Sequence, residues 1–263
     1  MAGKLALCMG LNYRGTSAAL SGCINDAENL REVLVGKLGF EDANVRMMTD
    51  DTAVKPTGRN MLEALVDLAK ASQDPAVQEI WISYSGHGTY VEDTSGDEDD
   101  NRDEALVPLD YRANGLLPDD TLNHVIGLIR PGVRVVCVID ACHSETMFDL
   151  KYRYISGRKS VVENAGCKSR CYCLMISGCQ DDDVSQDVYG LGDAKEFSGA
   201  MTTALLHVLK QFEYTVTCFQ LLKFMRRFLK RRKLSQVPQI TCNHRLTYAT
   251  LFSCVDPKPF LLN

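Results

Sequence analysis

No apolar run in this chain approaches the roughly 20 residues needed to span a bilayer. The first strand-like run, residues 4–11, is also too short to be the apolar core of a secretory leader. Helical membrane spans are therefore excluded, and the expected compartment is the cytoplasm. A disulfide framework is equally lacking. Eleven cysteines cannot all pair, and Cys8, Cys137 and Cys218 lie inside apolar runs, where cysteine packs as a small hydrophobe. Reduced thiols are expected, as suits a reducing compartment. Positive charge is not in excess, since 29 Lys and Arg face 34 Asp and Glu for a formal net charge of −5. Nucleic acid and membrane surfaces are consequently not expected partners. No internal repeat is evident, so the chain is not a stack of similar units.

What the chain does contain is an alternation of strand and helix patterns. Strands are predicted at 4–11, 45–49, 79–85, 105–109, 133–140, 172–177 and 246–252. Between the first two, Ala27, Leu30, Leu34 and Leu38 recur at helical spacing, with Asp26 as the expected N-cap and Gly39 as the stop. Thr57 opens a second helix carrying Met61, Leu62, Leu65, Leu68 and Ala69 on one face. Asp119 or Asp120 caps a third that runs to about Ile129, and two more are expected near 197–212 and 217–232. Strand, helix, strand, helix predicts an α/β sheet covered on both faces. At 263 residues the chain can bury the core of one large domain. Periodicity fades between 150 and 170, where Lys151, Arg153, Arg158, Lys159, Lys168 and Arg170 accumulate, and this stretch reads as a linker loop.

Two of the strands end on reactive residues. Ile80-Trp-Ile-Ser-Tyr-Ser-Gly-His-Gly88 breaks on His87, and Val133-Arg-Val-Val-Cys-Val-Ile-Asp-Ala-Cys142 breaks on Cys142, 55 residues later. Both runs read as strands buried in a parallel sheet, and open α/β sheets hold their sites at the C-terminal ends of strands. A histidine at one such end can act as base for a cysteine at the next. Gly86 and Gly88 let the backbone turn tightly and leave N–H groups for a developing oxyanion. The plainer reading, a buried structural thiol and a turn histidine, does not account for both strand-end placements.

Tyr84-Ser-Gly-His-Gly88 and Asp140-Ala-Cys-His-Ser144 resemble the paired signatures of the metacaspases, caspase-fold cysteine peptidases found outside animals. Gly22-Cys-Ile-Asn-Asp-Ala27, Gly96-Asp-Glu with Asp103-Glu104, and Ile176-Ser-Gly-Cys-Gln180 are similar to further family motifs. The resemblance implies a three-layer α/β sandwich with a central, mostly parallel six-stranded sheet flanked by helices. It implies one domain over 1–263, with 1–150 like a large subunit, 151–170 the linker and 171–263 like a small subunit. The implied activity is calcium-stimulated hydrolysis of peptide bonds after Arg or Lys, by a monomer acting on proteins or peptides. Carried over by residue, His87 is the base and Cys142 the nucleophile, with the N–H groups of Gly88 and Cys142 as the oxyanion hole. Asp26, Ser85 and Asp140 match the pocket for a basic side chain, where a carboxylate pair can fork onto a guanidinium. The proline-rich pro-region usual in the family does not precede the first strand here, so activation is expected without its removal.

From Glu92 to Glu104, eight of thirteen residues are acidic. This density repels itself unless solvent or a cation relieves it. It is not an EF-hand: counted from Asp97, position six is Arg102 instead of glycine and position twelve is Pro108 instead of glutamate. The resemblance points instead to Asp103, Asp119, Asp120 and Asp149 as a calcium cluster, a hard-oxygen donor set that suits Ca²⁺. A solvated acidic face is the simpler alternative.

Cys167, Cys171, Cys173 and Cys179 do not have a zinc-site spacing and read as structural thiols. Helix 219–233 carries a basic face opposite an apolar one, which reads as packing on the sheet with the charge in solvent. Glu145, where the family usually has glycine, either deepens the acidic pocket or opposes thiolate formation. It is also the one support for an alternative function, a catalytically silent, calcium-responsive domain that binds basic peptides.

Overall fold

The computed structural model describes residues 3–92, 102–141, 147–148, 150–156, 159–162, 164, 167, 169–179, 187–189 and 197–253. The chain begins β1 (Gly3–Gly10), α1 (Cys23–Gly36), β2 (Val45–Thr49), α2 (Gly58–Ala71), β3 (Val77–Ser85). A small ribbon, β4 (Gly88–Glu92), β5 (Arg102–Leu106) and β6 (Leu117–Pro118), surrounds the short α3 (Tyr111–Asn114) and leads into α4 (Asp119–Gly127) and β7 (Arg134–Asp140). Then come β8 (Tyr152–Ser156), β9 (Lys159–Val162), β10 (Tyr172–Cys179), β11 (Asp187–Tyr189), β12 (Phe197–Gly199) and α5 (Ala200–Gln211). The last elements are β13 (Val216–Thr217), α6 (Cys218–Arg231), β14 (Val237–Cys242) and β15 (Leu251–Ser253).

The main sheet has the order β2-β1-β3-β7-β10-β14-β8-β9. Its first five strands are parallel, and β14, β8 and β9 continue it antiparallel. Successive side chains on a strand face opposite ways, yet both faces are covered here. Ala6, Cys8, Trp81, Val136 and Val138 pack beneath α1, α5 and α6. Leu7, Met9, Ile80, Ile82, Val135 and Ile139 pack beneath α2 and α4. This is the expected three-layer sandwich. No helix among the described residues is long and apolar enough to cross a membrane.

Three expectations need correction. The sheet has eight strands, not six, because the 151–170 stretch read as a linker loop supplies the edge hairpin β8–β9. Basic side chains are a common guard on sheet edges, and that charge hid the strand pattern. The strand expected at 246–252 is only the short β15, paired with β13; the sheet strand of this region is β14. Pro238 obscured it, since proline argues against a central strand. Pro238 faces Gly178 on β10, beyond the part of β14 that pairs with β8, so its missing N–H breaks no bond to β8. Finally, the strand expected at 105–109 is β5, which ends at Leu106 and belongs to the separate ribbon, not to the main sheet.

At the N-terminal end of the sheet, Glu79 holds two buried cations, Lys4 at 3.3 Å and the Arg134 guanidinium, with side-chain exposures of 9%, 7% and 7%. Arg134 also donates to the carbonyls of Leu251 and Phe252, fastening β15 to the sheet. Removing one partner of a buried ion group leaves an uncompensated charge and costs about 3–5 kcal/mol. Glu79→Gln should therefore lower the thermal midpoint substantially. It should leave the strand end at His87 undisturbed in the folded protein, because Glu79 is at the opposite end of β3; calorimetry beside any rate that depends on His87 checks both.

Candidate active site

The strands leave the sheet side by side. Ser85 of β3 stands opposite Asp140 of β7, and the Gly86 N–H donates to the Asp140 carbonyl at 3.3 Å. His87 follows two residues after Ser85. Cys142 follows two residues after Asp140 in the sequence and lies outside the described residues, as do Glu145 and Asp149.

His87 is half-buried and held through its backbone, its ring and Nε2. Its N–H donates to the Tyr13 hydroxyl at 3.0 Å, and its carbonyl accepts from the Tyr84 hydroxyl at 2.7 Å and from the Val107 N–H at 3.2 Å. Its ring lies 4.8 Å from that of Tyr13, tilted by 41°. Nε2 is 2.8 Å from the Ala18 carbonyl. A carbonyl can only accept, so Nε2 carries the proton, and in the neutral imidazole the lone pair is on Nδ1. The Tyr13 hydroxyl also donates to Val107 O at 2.6 Å and lies 3.0 Å from that of Tyr84. Burial pushes both phenols well above their ordinary range, so both remain protonated. Gly86 makes this packing possible: a Cβ there would sit 2.7 Å from the Tyr84 hydroxyl and 2.9 Å from that of Tyr13. Gly88 begins β4 opposite Leu106.

Asp26, Ser85 and Asp140 come together, all buried. The Ser85 hydroxyl donates to Asp26 Oδ2 at 2.7 Å. The Gly199 N–H is 3.0 Å from both oxygens of Asp26. Thr202 donates to Asp140 Oδ2 with its N–H and its hydroxyl, each at 2.8 Å. A Cβ on Gly199 would lie 2.3 Å from Asp140 Oδ2 and 2.7 Å from Asp26 Oδ2, so the two carboxylates converge on this glycine. Asp26 is not the N-cap expected for α1. That place belongs to Gly22, and the first N–H groups, of Cys23 and Ile24, donate to the Asn12 side chain at 3.0 and 3.3 Å. With Asn12 serving the helix end, the Asp26 carboxylate points to Ser85 and Gly199. Gly199, Thr202, Asn12, Tyr13 and Ala18 carried no sequence signal, because each acts on a partner distant in the chain.

Among the proposed calcium residues, Asp103 lies on β5, and Asp119 and Asp120 open α4. Asp119 does not cap the helix, whose N-cap is Pro118. Its carboxylate accepts from the N–H of Glu104 at 2.9 Å and of Asp120 at 2.8 Å, tying α4 to β5. Among the described residues, no three His, Cys, Asp or Glu side chains converge to hold a metal. Asp149 and the acidic run 93–101 lie outside the described residues. The donors themselves are hard carboxylate oxygens, the chemistry that suits Ca²⁺.

The described cysteines are free and mostly buried. Burial pushes the Cys8 thiol up to about 11 and those of Cys171 and Cys218 up to about 12. A nucleophile must be a thiolate near neutral pH, and these three thiols are therefore inert.

The parallel sheet delivers a fixed histidine from one central strand and a carboxylate from the next, on a fold that is caspase-like. The crystal structure of Caspase-1 from Spodoptera frugiperda superposes with a TM-score of 0.59 at 14% identity, covering 95% of this chain and 89% of that one. The crystal structure of a Geobacter sulfurreducens protein superposes with a TM-score of 0.62 at 26% identity, covering 91% and 93%. The chain belongs to the metacaspases: the family model for the metacaspase peptidase C14 domain matches residues 4–151. Metacaspase-1 of Ajellomyces capsulatus is 30% identical over 299 residues, which cover 95% of this chain and 82% of the relative. Metacaspase-1 of Cryptococcus neoformans is 31% identical over 304 residues, covering 95% and 65%. The chain thus spans about 65% of the length of this last relative.

Proposed function

We propose that the chain is a cysteine endopeptidase that cuts after Arg or Lys, acting as a cytoplasmic monomer on proteins or peptides. The observation that carries this reading is the buried carboxylate pair Asp26 and Asp140 beside the strand end that fixes His87. Two converging carboxylates attract a guanidinium or ammonium and repel an acidic side chain. In the reaction, His87 Nδ1 takes the proton of the Cys142 thiol, and the sulfur attacks the scissile carbonyl while the N–H groups of Gly88 and Cys142 receive the oxyanion. The C–N bond breaks as His87 returns its proton to the leaving amine. Water, deprotonated by His87, then hydrolyses the thioester and restores the thiol. The Ala18 carbonyl supports this cycle, because it favours the ring when Nε2 is protonated and so leaves Nδ1 to shuttle the proton.

Calcium stimulation is part of the proposal, with Asp103, Asp119, Asp120 and Asp149 as the residues that would hold the ion. When bound, the ion would supply positive charge to offset these carboxylates. Fluorogenic peptides ending in Arg, Lys or Asp, assayed with millimolar calcium or with EGTA beside Cys142→Ala, test the whole reading. Hydrolysis of the Arg and Lys peptides, reduced by EGTA and absent in Cys142→Ala, is expected. Undiminished rates in EGTA would remove the calcium part. Cleavage of the Asp peptide alone would overturn the pocket, and no cleavage of any would favour a silent peptide-binding domain.

A further inference from the structure

Opposite in charge to the acidic segment is the C-terminal part of the chain. Residues 200–253 hold nine Lys and Arg and one acidic residue, Glu213, although the whole protein has a net charge of −5. Most of this charge is on α6. The apolar side of that helix is already used: Leu221, Leu222, Met225, Phe228 and Leu229 are buried in the core beneath the sheet. Its basic side therefore has no membrane-inserting face behind it. Arg226 is also committed, with its guanidinium donating to the Pro238 carbonyl at 2.8 and 2.6 Å.

Arg227, Arg231 and Arg232 instead line a cleft of about 290 Å³ between α5 and α6, with His207, Gln211, Phe224 and Phe228. Among the described residues, none of these three arginines is paired with a carboxylate, and the lining contains no acidic side chain. One cationic head is pre-positioned on an aromatic ring: the Arg232 guanidinium sits 4.6 Å from the Phe228 centroid, and the His207 ring lies 4.6 Å from the same ring. Basic residues in a last helical turn complement the helix dipole, but that dipole amounts to about half a negative charge. Three guanidinium groups exceed it several-fold, and Arg227 and Arg231, four residues apart on one face, repel each other. Planar guanidinium forks match phosphate oxygens, and pre-placed donors lower the ordering cost of binding.

We propose that this cleft is a binding site for a small soluble oligophosphate, an anion with several clustered phosphate charges. A single monoanion would leave two of the three guanidiniums uncompensated, and a recessed cleft between helices suits a free ligand better than a flat lipid surface. The test is calorimetric titration of the full chain with sodium tripolyphosphate and with sulfate at matched ionic strength. Tripolyphosphate should bind at least about tenfold more tightly, and the triple variant R227Q/R231Q/R232Q should lose at least about tenfold of that affinity, since each charge-assisted bond is worth roughly that factor. The variant K223Q/K230Q/K233Q removes equal charge from exposed positions outside this cleft and should keep the affinity within about threefold. In the unsubstituted protein, tripolyphosphate should also shield Arg227, Arg231 and Arg232 from modification by phenylglyoxal, a readout that does not depend on any variant folding. Equal losses in both variants, no preference over sulfate, or binding only to vesicles containing anionic lipid would overturn the proposal.

Discussion

Asp140→Asn should lower kcat/KM on an arginyl substrate by about 30-fold to several thousand-fold, with kcat on any residual neutral substrate much less affected. The range follows from the 2–5 kcal/mol lost when one member of a buried, hydrogen-bonded charge pair is removed, at about 1.4 kcal/mol per tenfold. The substitution is nearly isosteric. Thr202 can still donate to the amide oxygen that replaces Oδ2, so the local fold persists and the loss reads as lost charge. Asp26→Asn should act the same way, because Ser85 and Gly199 can still donate to the amide oxygen that replaces Oδ2. Steady-state kinetics on matched Arg and neutral peptides, beside the melting curve of each variant, separates the pocket role from a packing role. A pocket role predicts losses confined to the basic substrates.

Gly199→Ala is expected to be as damaging, although it adds one methyl group and changes no charge. The new Cβ would meet Asp140 Oδ2 at 2.3 Å and Asp26 Oδ2 at 2.7 Å, distances at which something must move. Neither carboxylate can retreat freely, since Asp26 is bound by Ser85 and the Gly199 N–H, and Asp140 by Thr202. The start of α5 therefore shifts, and a displacement of about 1 Å at a binding residue costs about 10²-fold in rate. The control is Gly36→Ala near the end of α1, where nothing lies within 4 Å of the added atom. That change should leave activity intact and slightly raise stability, because alanine is the better helix former. Equal activity in the two variants would show that the carboxylates do not need their present placement.

These two substitutions also show how much of the molecule can be read from the chain alone. The apolar runs ending in Ser85 and Asp140 are local, β-branched and flanked by glycine, so both strands and the residues at their ends were legible. The metacaspase resemblance supplied the pairing of Asp26 with them. Gly199 and Thr202 were not legible, because Gly199 meets Asp26 across 173 residues and nothing near it in sequence marks the contact. The Asn12 side chain, which caps α1 from the preceding loop, displaced the expected Asp26 cap for the same reason. At the far edge of the sheet, β8 and β9 were masked by their own lysines and arginines, and β14 by Pro238. In each case a tertiary partner overrode a local signal, and one-dimensional patterns do not record such partners.

The central claim is that Cys142 is the nucleophile of a pocket built for a basic side chain. Incubating the protein with a chloromethyl ketone peptide ending in arginine, then mapping the adduct by mass spectrometry, tests it most directly. A single adduct on Cys142 is expected, formed faster than with an aspartyl probe and abolished by His87→Ala. Labelling of a different cysteine, or faster labelling by the aspartyl probe, would contradict it.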